Sequence, residues 1–402
     1  MTLLAAHLND AGLLLTDGER ILCREPGFAL LEDEGLVTGR AAWASASLKP
    51  RRIQNRYWDD LRTEPLKDRR FQHLTAADLV SSQLDSLWHA AAKSGDRLAL
   101  AVPGYMGSDN LGLLLGIAVD LEIPVVAMVD AAVAATRREY VGGVPVHIDL
   151  SLHRAMLTRV SQDGQAQLER SVVVDDSGML DLYDIWLRVI AETFVQQSRF
   201  DPLHTAETEQ ELQNNMLEWL AVASSRDTVP LKVDYRGITH QAEIESLELV
   251  SAATPVYQNI VSNLRALYRA GETPALQLSD RAARMPGLAD TLKARVGGET
   301  FLLEPGATAR GLVSRCAEGR PGSAVSLVRH LPWDQSRVAV EADGGEQGAQ
   351  PTHVLLGDHA TPIGASALVL GSQPADGERW LDLQQEMPGV SRRHCEIAAV
   401  NG

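Results

Sequence analysis

Few of the features that announce a chemistry occur in this 402-residue chain. Cysteine is scarce. The three present, Cys23, Cys316 and Cys395, are far apart and odd in number, which argues against a disulfide framework and suits a reducing cytoplasm. No apolar run reaches the ~20 residues that cross a bilayer, because the longest, "LGLLLGIAVDLEIPVVAMVDAAVAA", is broken by Asp120, Glu122, Pro124 and Asp130. The start, "MTLLAAHLND", lacks the basic head and apolar region of a secretory signal. Positive charge is also short: 37 Lys and Arg stand against 53 Asp and Glu, a formal −16. Such a surface repels nucleic-acid phosphates and anionic lipids, so neither nucleic acid nor membrane is an expected partner. Glycine-rich Walker and dinucleotide fingerprints, a GxSxG elbow and zinc-like Cys/His spacing are all missing.

What is present is patterning. Apolar residues make up 45% and charged residues 22%, ordinary for a globular chain with a sizeable core. The first 50 residues alternate short runs with turns, as antiparallel strands do. In "TAADLVSSQLDSLWHAAAKSG" an N-cap is expected at Thr75 and a C-terminal stop at Gly95, with Leu79, Leu84, Leu87, Trp88 and Ala91 on one helical face. A βαβα run follows: strand "RLALAVPG", a helix capped by Ser108, strand "PVVAMVD" and helix "AAVAATRREY". Strands buried on both faces and joined by helices imply a parallel sheet.

After Gly142 and Gly143 the same order begins again. Strands are expected over 145–174, helices in "LDLYDIWLRVIAETFVQQSRF" and "TAETEQELQNNMLEWLAVA", and strands in "TVPLKVDYRG" and "ITHQAEIESLELV". A second βαβα run, from "PALQLSD" to "ATARGLVSRCAEG", closes the series. The fold class is therefore α/β, an internal duplication in two lobes. One turn in the second lobe is unusual: "VPVHIDLSLHRAMLTRV" reads strand, turn, strand, with Asp149 placed as if for a metal-bound phosphate, yet the turn holds no glycine.

The segments "VTGRAAWASASLKPRRIQNRYWDDL" and "LALAVPGYMGSDNLGLLLGIAVDLEIPVVAMVDAAVAAT" carry a resemblance to the actin-like (ribonuclease-H-like) superfamily, most similar to the ATPase domain of seventy-kilodalton heat-shock chaperones. It covers about residues 1–320 and implies lobe I over 1–142 and lobe II over 143–320. The family's first phosphate hairpin corresponds to Asn9, Asp10 and Gly12. Its second, glycine-rich one corresponds to Asp149, Leu150, Ser151, Leu152, His153 and Arg154, retaining only the aspartate. The hydrolysis-assisting lysine falls on Trp43. The adenosine element keeps Arg284 and Pro286 but no glycine pair. The nucleotide-binding candidates implied are thus Asn9, Asp10, Gly12, Asp149, Ser151 and Arg284, with Asp10 and Asp149 as catalytic candidates. Non-glycine residues in left-handed geometry cost roughly 1–2 kcal/mol each, and Leu152 or His153 would bring bulk where phosphates lie. The turn is read as no longer holding phosphate, and ATP and Mg²⁺ are expected at most weakly.

A linker is expected over 321–351, most clearly in the acidic, glycine-rich "EADGGEQGAQP". Beyond it, residues 352–402 read as an all-β partial module with strands in "HVLLGD", "ALVLGS", "RWLDLQ" and "HCEIAAV". The stretch "PGVSRRHCEI" resembles the signature of a forkhead-associated (FHA) domain, which implies a β-sandwich binding phosphothreonine through Ser391, with His394 supporting the loop and Arg392 and Arg393 as auxiliary contacts. The family's "GR" arginine is replaced by Ser372. The sequence ends at Gly402 before the strands that complete such a sandwich, so a longer chain or a second chain is expected to finish it.

Three functional expectations follow. The first is a pseudo-ATPase scaffold or regulator binding protein partners in the cytoplasm, the second an active Mg-ATP-dependent ATPase of the same fold, and the third a phosphothreonine reader in the tail.

Overall fold

The computed structural model describes residues 2–33, 35–316 and 324–334, and farther on the strands at 353–356, 359–362, 368–371, 379–382 and 395–397. It divides into two units, Met1–Asp334 and Gln335–Gly402. The first half of the larger unit runs β1 (Leu3–His7), β2 (Leu13–Thr16), β3 (Ile21–Glu25), β4 (Ala29–Glu32), β5 (Gly35–Thr38), α1 (Arg40–Trp43), β6 (Ile53–Gln54), α2 (Ala76–Ala91), β7 (Arg97–Val102), α3 (Ser108–Asp120), β8 (Val125–Asp130) and α4 (Ala131–Ala135). The second half runs β9 (Val144–Leu150), β10 (Arg154–Ser161), β11 (Gln165–Asp175), α5 (Met179–Ser198), α6 (Ala206–Ala223), β12 (Thr228–Tyr235), β13 (Ile238–Glu245), α7 (Ser246–Ala252), α8 (Thr254–Arg265), β14 (Pro274–Leu278), α9 (Asp280–Ala283), α10 (Leu288–Val296), β15 (Glu299–Leu302) and α11 (Ala307–Val313). Two short strands, β16 (Leu327–Val328) and β17 (His330–Pro332), end it.

The duplication is visible in strand order. One sheet reads β16-β8-β7-β1-β2-β3 and the other β15-β14-β9-β10-β11-β17. Without the two late edge strands, each sheet has a three-strand antiparallel meander followed by two parallel strands beside its first strand. Side-chain size sorts the faces. Along β1 and β7, Leu4, Leu98 and Leu100 point into a large-residue core with α2 and α3, while Ala5, Ala99 and Ala101 face the opposite way. That alanine face lets α4 and α11 approach closely: a Cβ on Gly311 would lie 2.0 Å from the Ala134 carbonyl oxygen.

Several expectations need correction. The α3 cap is Gly107, whose N–H donates to Asn110 Oδ1 at 3.2 Å, and Ser108 is already helical. The helix of "AAVAATRREY" stops at Ala135, because Thr136 Oγ1 turns back to Ala132 O and reaches Gln277 Oε1. The strand β13 ends at Glu245, and "SLELVSA" is helix α7. Helix α11 of the expected second lobe packs against α4 and β1 of the first. Within the stretch read as linker, β16 pairs with β8 and β17 with β11, so its first part belongs to the sheets.

In the smaller unit, β18 (His353–Leu356) and β19 (His359–Pro362) form an antiparallel pair. The strand β20 (Leu368–Gly371) lies parallel to β21 (Arg379–Asp382) and antiparallel to β22 (Cys395–Ile397). Ser391, Arg392, Arg393 and His394 lie outside the described residues, as does Ser372.

Candidate functional site

The ends of β1 and β9, one from each six-stranded sheet, face each other. His7 and Asn9 come from the first, Asp149 from the second, and Arg281 from α9, which follows β14 beside β9. All four are buried. Arg281 reaches Asp149 twice, Nη2 to Oδ2 at 3.1 Å and Nε to Oδ1 at 3.3 Å. Asn9 Nδ2 donates to Asp149 Oδ2 at 2.8 Å and to Leu150 O at 3.0 Å. The remaining guanidinium contacts are His7 Nδ1 at 3.2 Å and the Gly12 carbonyl at 3.4 Å. Burial alone would raise the Asp149 pKa, but Arg281, with His7 and His147 behind it, holds the carboxyl well below the usual carboxylate range. Asp149 is therefore an ionised carboxylate whose counter-charge is built into the chain.

The expected steric cost in the glycine-free turn is absent, and this is a correction. No residue from Leu150 to Arg154 has positive φ, so the turn needs no glycine. Ser151 closes it, N–H to Arg154 O at 2.9 Å and Oγ to the same oxygen at 3.0 Å. Leu152 packs into a small core with Phe28, Leu30 and Ala42. Glycine is required next door instead. A Cβ on Gly178 would lie 2.4 Å from Arg154 N and 2.5 Å from Leu152 O, and the chain after it donates from Met179 N to Ser151 O and from Leu180 N to Leu152 O, both at 2.9 Å.

Asp10 spans the lobes as well. Its Oδ1 accepts the Leu152 N–H at 2.8 Å, while its Oδ2 is buried without a partner. Burial outweighs that hydrogen bond and pushes the carboxyl up to about 7, with Asp59 adding to the rise. Gly12, at the foot of this hairpin, donates its N–H to Asn9 O at 2.9 Å and has no left-handed φ.

Further ties close the cleft. Arg24 of β3 meets Asp280 of α9 at 2.5 Å, and Arg154 of β10 meets Asp59 at 2.8 Å. Higher up, Gln210 of α6 accepts from Ser47 N at 2.8 Å and donates to Trp43 O at 3.1 Å. Trp43 itself is half-buried and meets Phe28 edge-on at 4.8 Å and Tyr183 at 6.2 Å. Arg284, chosen from the sequence, sits at the rim, where its Nη2 binds Asp280 Oδ2 at 2.9 Å.

The structure thus brings Asn9, Asp10, Gly12, Asp149 and Ser151 together and leaves Arg284 at the edge. Sequence reading missed His7, His147, Arg24 and Arg281. Asp149 would have pointed to Arg281 only through the β9–β14 register, which pairs Ile148 with Leu278. Among the described residues no His, Cys, Asp and Glu group suited to a metal ion occurs, and no helix is long and apolar enough to cross a membrane. No protein-family model and no curated protein sequence matches the chain.

Proposed function

We propose that the larger unit is an actin-like pseudo-ATPase that acts as a protein-binding scaffold or regulator in the cytoplasm. The repeated strand order of the two sheets supports the kinship with the heat-shock-chaperone ATPase domain. The observation that carries the functional reading is the Arg281–Asp149 pair. A carboxylate that would orient a hydrated metal beside phosphate is already neutralised by a guanidinium from α9, which follows the neighbouring strand β14. Displacing that cation would strand a buried charge, at a cost of several kcal/mol. Two further lobe-to-lobe hydrogen bonds, Asn9 to Asp149 and Leu152 to Asp10, occupy donors and acceptors that a nucleotide would need. The closed state is stabilised by the chain's own charges, and a lasting closed shape suits a scaffold better than a cycling motor. The tail, with its FHA-like "SRRH" stretch, is proposed to add partner recognition, possession of a phosphothreonine being the feature it would select.

Steady-state phosphate release tests the reading. The wild-type chain with Mg-ATP should release phosphate no faster than buffer, and Asp149→Ala should change nothing. Release by wild type that vanishes in Asp149→Ala would establish the active ATPase instead.

A further inference from the structure

Beside the ion-paired end of the cleft lies a cavity of about 420 Å³, within the range of small-molecule sites. Its walls are mostly apolar and include three aromatic rings, Phe28 and Trp43 on one side and Tyr183, with Leu152 and Met179, on the other. Phe28, Leu152, Met179 and Tyr183 are buried, and Trp43 is half-buried. Phe28 and Trp43 meet edge to face, 4.8 Å between centroids at 89°, a favourable aromatic arrangement that fixes both rings on this wall.

Besides the neutral amide of Asn214, the polar side chains on this cavity are cationic. Arg24 and Arg40 both line it. Arg24 shares the single carboxylate of Asp280 with Arg284, two guanidiniums to one acid, and its Nε is buried without an acceptor. The Arg40 guanidinium is exposed and in no ion pair among the described residues. Beside it, the Glu25 carboxylate accepts the Arg40 backbone N–H at 2.6 Å. Arg24, Arg40 and Arg284 set against Asp280 and Glu25 leave a local excess of one positive charge beside the aromatic side chains, and in a chain of formal charge −16 that favours a small anion carrying a ring.

We infer that this cavity is a binding site for a small aromatic carboxylate, its ring packed against the Trp43, Phe28 and Tyr183 side chains that line it and its carboxylate held by the Arg40 guanidinium. The site needs only the cleft geometry and stands whether or not the pseudo-ATPase reading is right.

Indole-3-acetate serves as the probe, titrated calorimetrically into the full 402-residue chain, with indole-3-acetamide as the uncharged control and acetate as the ringless one. Expected is saturable binding of indole-3-acetate with a dissociation constant below about 1 mM. The amide should bind at least about tenfold more weakly and acetate not measurably, since charge-assisted bonds and ring contact act together. Arg40→Gln, at an exposed position, should erase the acid-over-amide preference, and Trp43→Leu should weaken both ring ligands. Equal binding of acid and amide, no binding of either, or an unaltered preference in Arg40→Gln overturns the inference. A separate arm adds Mg-ATP to the probe complex. Tight ATP binding there would remove the pseudo-ATPase reading alone, whereas loss of the probe result removes this site alone.

Discussion

Asp149 and Arg281 show how a buried charge is made tolerable. Neither is affordable in isolation, because an unpaired ion at that depth costs several kcal/mol. Arg281→Met is therefore expected to destabilise the chain by about 3–5 kcal/mol in denaturant unfolding. Adding Asp149→Asn to it should recover part of that loss, because the stranded charge is gone. A double variant as unstable as the sum of the two singles would mean that the residues do not act as a pair.

Asp10 behaves oppositely, and its sign can be worked out. Its folded pKa, about 7, lies above the ordinary value near 3.9. Between about pH 4 and 7 the native chain keeps a proton that the unfolded chain has released, so this contribution to stability is full below about 4 and lost as pH rises through 7. His7, pushed down to about 3 by burial and by Arg281, slopes the other way: its share is lost as pH falls below about 6.5. Comparing Asp10→Asn with wild type isolates Asp10, since the amide keeps an acceptor for Leu152 N–H. The variant's melting temperature should match wild type near pH 4 and exceed it by about 4 °C or more at pH 8. A difference independent of pH would contradict the raised pKa.

At the scale of elements, close approaches decide where glycine is indispensable. Gly178→Ala must displace the backbone of the 152–154 turn, and Gly311→Ala must lift α11 off α4, where the contact is also backbone. Each should cost roughly 1–3 kcal/mol as overpacking. Gly178→Ala should in addition speed hydrogen exchange of the Leu152 amide, which reports directly on the bond to Asp10. Unchanged exchange would show that the turn does not depend on this packing. Local rules made some elements legible beforehand. Helix α2 begins at Thr75 as the sequence indicated, its hydroxyl and the Asp78 carboxylate forming a reciprocal cap. Ser108 misled because Asn110 two positions on could cap Gly107 instead. The length of α4 was illegible, since the residues that end it answer to Gln277, far away in sequence.

At the scale of the whole molecule, the twofold repetition was legible because each half repeats the same change of period, from alternating strands to helical crossovers. The cleft chemistry was only half legible. Asn9, Asp10 and Asp149 lie on recognisable hairpins, but Arg281, 132 positions from Asp149, becomes its partner only through strand adjacency. The steric explanation for the glycine-free turn failed for a related reason: backbone angles of a turn depend on what buttresses it, here Gly178.

A shape held closed by internal ion pairs should not respond to nucleotide. Small-angle scattering of the full chain is expected to give the same radius of gyration with and without Mg-ATP, and compaction on addition would contradict the self-closed cleft. The most direct measurement is calorimetric titration of Mg-ATP into the chain at about 100 μM protein. No saturable heat should appear up to about 1 mM nucleotide. Binding tighter than about 10 μM would show that Arg281 yields Asp149 to a metal-bound phosphate after all.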